Sequence, residues 1–260
     1  MASVYVTQSG AGTADGSSLE NAIAIGSLTT TQWNTPAHSS DGAERIYFNG
    51  AFTSRIQVLG AGGTDGTNRL WVDTSQAAMA VTDVYAVSTN AKSNLYVVMG
   101  AAVSTASNTN SVVELYRAAE NVTLIGGAIS NSHAACCVRM WTDTYDCDSV
   151  VIDGSTMTNT DPSIIDVVIA AHSGTAGNTG KFTNCGVKNS TVQGGKIVNL
   201  YSNPEQQIGT DNRWDEGWNI DNNSVSNTPS VAIQIILSIN SMIQNNTLNQ
   251  IAQVATSVNA

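Results

Sequence analysis

Five stretches of this chain carry one pattern, and that pattern limits the fold more than any other feature. They are "VTLIGGAIS" from Val122, "VVIDGSTMT" from Val150, "CGVKNSTVQ" from Cys185, "WNIDNNSVS" from Trp218 and "SMIQNNTLN" from Ser241. The third position of each line is apolar (Leu124, Ile152, Val187, Ile220, Ile243), and so is the eighth (Ile129, Met157, Val192, Val225, Leu248). Between them sits a small or amide residue: Gly126, Gly154, Asn189, Asn222 or Asn245. Alternating apolar positions predict short strands with one face buried. Gly and Asn tolerate positive φ, so the centre of each line predicts a bend joining two strands. The lines begin 28, 35, 33 and 23 residues apart. Propellers and helical repeats need a steadier period, whereas a β-solenoid accepts a fixed corner with loops of variable length. Stacked coils would place Asn222 and Asn245 above one another near Asn189, where side-chain amides hydrogen-bond along the stack.

Composition agrees with a β-rich chain. Only 12% of the 260 residues are charged and 42% are apolar, against a charged fraction of about 25% in ordinary globular domains. Strong helix formers are few, while Val, Ile, Thr, Asn, Ser and Gly abound. A formal net charge of −10 argues against nucleic acid or an anionic membrane as partner. No apolar run is long enough to span a membrane, and the opening "MASVYVTQSG" reads as no signal peptide. Cys136, Cys137, Cys147 and Cys185 fit neither a zinc site nor a dense disulfide framework, so packed thiols are expected. No phosphate-binding loop, nucleophile elbow or zincin motif occurs, and "GAGGTDG" reads as a turn. The chain reads as a single domain over residues 1–260. An N-terminal strand and cap take 1–44, early coils 45–120 and clear repeat coils 121–260.

After each bend comes a second segment: "CVRMW", "IDVVIA", "IVNLY" or "AIQII". Arg139, Asn199 and Gln234 are polar residues flanked by apolar ones, with Asp166 the nearest equivalent in the second segment. These are expected to project outward from adjacent rungs of one sheet, with Tyr201 beside them. Long segments follow in the same part of each coil, at 142–147, 173–180 and 202–217. Insertions confined to one edge mark a working face in a solenoid.

The N-terminal half reads as entry and early coils. "SVYVTQ" predicts a strand. "SSLENAIAIGSLTTTQW" predicts an amphipathic helix, with Ser17 and Glu20 at capping-box spacing and Leu19, Ala22 and Ile23 on its apolar face. Such a helix would cover the open end of the first coil. "RIYFNGAF", "RIQVLG", "RLWVDT", "VYAVST" and "LYVVMG" predict further short strands. The run "YVTQSGAGTADGSSLENAIAI", followed by "RIYFNGAFTSRIQV", resembles the opening of right-handed parallel β-helix proteins of the pectate-lyase-like superfamily. The five repeat lines resemble their later coils, so the resemblance covers nearly the whole chain. It implies an all-β, right-handed parallel β-helix with a short N-terminal capping helix. The superfamily holds polysaccharide lyases, glycoside hydrolases, epimerases, bacteriophage tail-spike proteins and non-catalytic members, and fold does not choose among them. The last repeat, "SMIQNNTLNQIAQVATSVNA", has no recognisable C-terminal cap, which reads as a fragment or an end covered by a partner subunit.

The resemblance also implies glycan chemistry. Hydrolysis uses paired carboxyl groups; lysis uses a Lys, Arg or His base, with Ca²⁺ or Arg stabilising the anion. "WTDTYDCD" offers Asp143, Asp146 and Asp148 at intervals suited to Ca²⁺, Asp143 as a catalytic carboxylate, and Trp141 and Tyr145 as sugar platforms. A solvated turn reads the same residues equally simply. In "DNRWDEGW", Trp214 would stack on a sugar, Arg213 would bind it, and Asp215 or Glu216 would serve as acid or base. The bland alternative is a loop anchored by Trp218. His172 and Lys181 flank the second long segment as candidate lyase bases, with His133 a weaker one. Arg139, Asp166, Asn199, Tyr201 and Gln234 form a polar stripe suited to neutral or mildly charged glycans. The expected function is therefore a glycan-recognising module of an extracellular or virion particle. Its partner would be a polysaccharide or cell-surface glycan, and it would act as a homo-oligomer or part of a larger assembly. A polysaccharide lyase or glycoside hydrolase is the alternative, and a structural filament or sheath subunit a third.

Overall fold

A computed structural model describes residues 2–81, 85–104, 111–116, 119–132, 135–142, 145–172, 180–201, 215–235 and 238–251. The chain is nearly all β, with 52% strand and 5% helix, and it winds as a right-handed parallel β-helix. Each coil contributes to three faces. The first face includes Val4–Thr7, Leu95–Val98, Glu120–Ile125, Cys147–Asp153, Gly186–Lys188, Asn219–Asp221 and Met242–Gln244. The second includes Ala101–Ser104, Ala128–Asn131, Thr156–Asn159, Thr191–Gln193, Ser224–Ser226 and Thr247–Asn249. Ile46–Phe52 and Leu70–Val81 run through both faces, which belong to one bent 19-stranded sheet. The third face is a separate seven-stranded sheet: Ile56–Gln57, Val87–Ser88, Ser111–Tyr116, Cys136–Thr142, Val168–His172, Val198–Tyr201 and Ile233–Ile235.

Register follows the apolar pattern. On the first face Val4, Ile46, Val72, Val97, Leu124, Ile152, Val187, Ile220 and Ile243 lie directly above one another. On the second face the column is Phe52, Met79, Ala102, Ile129, Met157, Val192, Val225 and Leu248. On the third it is Ile56, Val87, Val113, Val138, Val168, Val198 and Ile233. A slip of one residue would turn every member of a column to solvent, so burial fixes the register. Each fully buried aliphatic side chain contributes about 1.5–3 kcal/mol of transfer free energy. All four cysteines are buried thiols, and Cys137, Cys147 and Cys185 pack within the core. Burial pushes the Cys136 thiol up to about 12 and raises Cys137 and Cys185 well above 9.0.

The double asparagines divide two tasks at the corner between the first and second faces. The first residue of each pair makes the bend: Asn189, Asn222 and Asn245 have φ of 53–54°, where Gly126 and Gly154 stand in earlier coils. Asn222 Nδ2 donates to Asn189 Oδ1 at 2.9 Å, and Asn189 Nδ2 to Asp153 Oδ1 at 2.7 Å. Asn245 bonds instead to Asp221 Oδ1, at 2.9 Å. The second residue points inward. Asn223 Oδ1 accepts from the Ser190 backbone N–H, and its Nδ2 donates to the Val187 carbonyl. Asn246 Oδ1 then accepts from the Asn223 backbone N–H. Backbone groups that the corner would orphan are thus paired from coil to coil, as burial demands.

At the N-terminal end the expected helix is broken up. Ile23–Ala24 is extended and pairs in parallel with Val6–Thr7. Leu19–Asn21 and Ile25–Ser27 are single 3₁₀ turns, and only Thr30–Trp33 is α-helical. The capping box lies at Thr29 and Gln32 rather than at Ser17 and Glu20. Pairing with the first rung gives the Ile23 backbone its hydrogen bonds, and that ladder outcompetes a helix. Buried Trp33 packs on Phe48 at a centroid distance of 5.9 Å. At the other end, Ile243 is 49% exposed although its column neighbour Ile220 is fully buried.

Candidate functional site

The third face carries an outward row between its two inward ones. Gln57, Ser88, Glu114, Arg139, Ile169, Asn199 and Gln234 occupy it on successive coils. Six of the seven are polar, in a chain with few charges. Two residues on from Arg139, Trp141 pairs in backbone register with Tyr116 and Ala171, and Ala171 with Tyr201. The Arg139 guanidinium lies 3.6 Å from the centroid of the Trp141 ring. A cation so close to an indole face is held in place and keeps its donors at the ring's edge.

Asp166 is not in this row, contrary to the stripe expected for it. Val167 and Val168 both turn inward, so Ile169 takes the outward position and Asp166 is displaced three residues back. There it bridges to Lys196. Lys196 is only 6% exposed, and its Nζ lies 3.4 Å from Asp166 Oδ1 and 2.9 Å from Gln234 Oε1. Asn199 Nδ2 donates to Asp166 Oδ2 at 3.1 Å. The structure therefore joins Asp166, Asn199 and Gln234 through a lysine that the sequence reading passed over. Asn199 Oδ1 is buried and makes no hydrogen bond among the described residues. Glu114 is 8% exposed; burial raises its carboxyl above 4.5, and the Arg139 charge opposes that rise. Signs alternate along the face, from Glu114 to Arg139, then Asp166 to Lys196.

A second cluster lies at the corner that follows this face. Asp146 Oδ1 accepts from the Lys181 backbone N–H at 2.9 Å, and Asp215 Oδ1 accepts from the Phe182 backbone N–H at 2.8 Å. Glu216 Oε1 takes Asn240 Nδ2 at 3.0 Å, and Asp148 Oδ1 takes Asn184 Nδ2 at 3.2 Å. Successive coils so bring together Asp146, Lys181, Asp215 and Glu216. Asp215 is 1% exposed and holds the backbone of the corner. Tyr145 is exposed beside it. Trp218 is buried and packs edge-on to Phe182 at 5.6 Å, the anchoring arrangement named above as the bland alternative.

Asp143, Arg213, Trp214 and His133 lie outside the described residues, as do the side chains of His172 and Tyr201. Among the described residues no three His, Cys, Asp or Glu groups are arranged to hold a metal ion. Asp146 and Asp148 each engage one oxygen with protein donors. No helix among the described residues is long and apolar enough to cross a membrane.

Glu114 and Lys196 were the residues missed. "VVELY" has the same apolar–polar–apolar form as "CVRMW" and "IVNLY", which is the signal that marks Glu114. Lys196 had no such signal, because it stands where the chain enters the strand. Fold and face together define a parallel β-helix that presents a polar strip along one sheet, with the Trp141 ring beside it. Comparison with family models, with curated proteins and with solved structures finds no match.

Proposed function

We propose that this chain is a glycan-recognising β-helix that reads its ligand along the outer side of the third face. The observation that carries the reading is the row itself: six polar residues in register on one sheet face, beside the Trp141 ring that Arg139 covers at 3.6 Å. A row of hydrogen-bonding groups that includes Asn199 suits the hydroxyls spaced along a sugar chain. Trp141 and Arg139 stand two coils away with an apolar ring and a fixed set of donors. The alternating charges nearly cancel along the strip, which suits neutral or mildly charged sugars. In keeping with that, we place the protein outside the cell or on a virion, as a tail-spike-like module.

The test is calorimetric titration against a panel of bacterial and algal polysaccharides. Binding by the native chain, weakened about tenfold in both Trp141→Ala and Asn199→Leu, supports the reading. Binding indifferent to both changes, or no binding by any glycan, overturns it.

One observation favours a second, catalytic reading. Glu114 is a buried carboxyl with a raised pKa beside a fixed arginine, and such groups cluster at acid–base sites. Release of unsaturated or reducing ends from the same panel, lost in Glu114→Gln, would make the chain a polysaccharide lyase or hydrolase.

A further inference from the structure

The outer side of the first face carries a repeated device that no part of the glycan reading uses. It is written "GAERIY" at 42–47 and again "GTNRLW" at 66–71. In the first copy Arg45 Nε donates to the Gly42 carbonyl at 2.8 Å and Nη1 to Asp73 Oδ2 at 2.7 Å. In the second Arg69 Nε donates to the Gly66 carbonyl at 2.7 Å and Nη1 to Thr123 Oγ1 at 2.9 Å. Each guanidinium also covers a ring of the following coil. Arg45 lies 4.6 Å from the Trp71 centroid, and Arg69 lies 4.4 Å from that of Tyr96. The two rings contact each other at 4.4 Å.

The resulting order is Arg45, Trp71, Tyr96, Arg69. Both guanidinium groups are fixed by the same three kinds of contact, and neither Nη2 makes a hydrogen bond among the described residues. Asp73 neutralises Arg45. Arg69 has no carboxylate in ion-pairing range among the described residues, in a chain whose net charge is −10. Two held cations with donors turned away from their anchors constitute an anion-binding strip.

The stack also limits the ligand. Two rings separate the guanidinium groups, so a small anion reaches only one of them, while a polymer with charges on successive units reaches both. Single-stranded nucleic acid binds through bases stacked on open aromatic faces; here Trp71 and Tyr96 have their faces against each other and the arginines. Hydroxyl groups border the strip at Thr123 and at the stacked pair Tyr5 and Tyr47, whose centroids are 5.1 Å apart. We propose that this strip binds a linear acidic polysaccharide through carboxylate or sulfate groups on successive sugars. The site is on a different face from Trp141 and Asn199 and does not depend on the function proposed for them.

The test is titration of the intact chain with alginate, dextran sulfate and uncharged dextran, at low and at raised salt. Alginate binding alone assigns carboxylate recognition, and dextran sulfate binding alone assigns sulfate; either supports the proposal. Arg69→Gln should weaken that binding about tenfold or more, and Thr123→Val, which frees Nη1, should weaken it less. If Arg69→Gln fails to fold, Thr123→Val alone decides the matter. The proposal is overturned by unaltered binding in the variants that fold, by equal affinity for uncharged dextran, by tighter binding of single-stranded DNA or polyglutamate, or by no binding to either acidic polymer.

Discussion

Asn222 hands its side-chain amide to the carbonyl oxygen of Asn189, one coil away, across 2.9 Å. Its neighbour Asn223 faces the other way and is buried. The two positions should therefore respond differently to substitution. Asn222→Gly is expected to cost little, since glycine accepts a φ of 54°. Asn223→Ala removes the acceptor for Ser190 and the donor to Val187, and should cost about 1–3 kcal/mol. Denaturant midpoints decide the point: equal losses at both positions would contradict this division of roles.

Glu114 gives a pH-dependent prediction. Burial raises its folded-state pKa above 4.5. A raised acid favours the protonated form in the fold, so its stabilising effect is present below the unfolded pKa and lost as pH rises through the folded one. Glu114→Gln mimics the protonated state. The variant should melt above the native chain at pH 7, and the gap should close near pH 4 and below. A variant that melts below the native chain at pH 7 would mean that the pairing with Arg139 outweighs burial.

Lys196 and Asp166 should behave as a coupled pair. Removing one partner of a buried pair leaves the other charge without compensation, at a cost of about 3–5 kcal/mol. Lys196→Met is expected to fall in that range, while Asp166→Asn combined with Lys196→Met should recover a good part of the loss. A double-mutant cycle measures this directly. Strict additivity would show that the 3.4 Å approach contributes nothing.

Stability should also fall toward the last coil. Ile220→Ala opens a cavity between coils and should cost about 2–5 kcal/mol. Ile243→Ala, at an exposed position of the same column, should cost less than about 1 kcal/mol. In hydrogen exchange the amides of Met242–Gln244 should lose protection before those of Asn219–Asp221. Uniform protection across both strands would contradict this gradient.

What the sequence disclosed depended on whether a residue repeats. The columns through Ile220 and Val225 were legible, because an inward position must be apolar in every coil. The corner at Asn222 was legible for the same reason, although the inward role of Asn223 was not; two adjacent identical letters hide opposite directions. Asp166 was assigned to the wrong row because two consecutive valines both turn inward, a local departure that alternation does not foresee. Ser17 and Glu20 had helix-capping spacing, yet pairing between Ile23 and Val6 overrode it. Asp215 looked like chemistry because carboxylates are rare here, and rarity does not distinguish a reacting group from one that holds a backbone amide. Arg45 and Arg69 repeat in sequence, but their motif becomes visible only when Trp71 and Tyr96 are seen between them.

The fixed corner at Asn189, Asn222 and Asn245 has a consequence for how such a chain can diversify. Each corner settles its polar groups against only the coils directly above and below. A whole winding could be duplicated or excised without disturbing the remainder, whereas a single deleted residue inside a strand would misalign everything it touches. Length in this molecule is thus quantised, and ligand reach along its axis should change in steps of one winding.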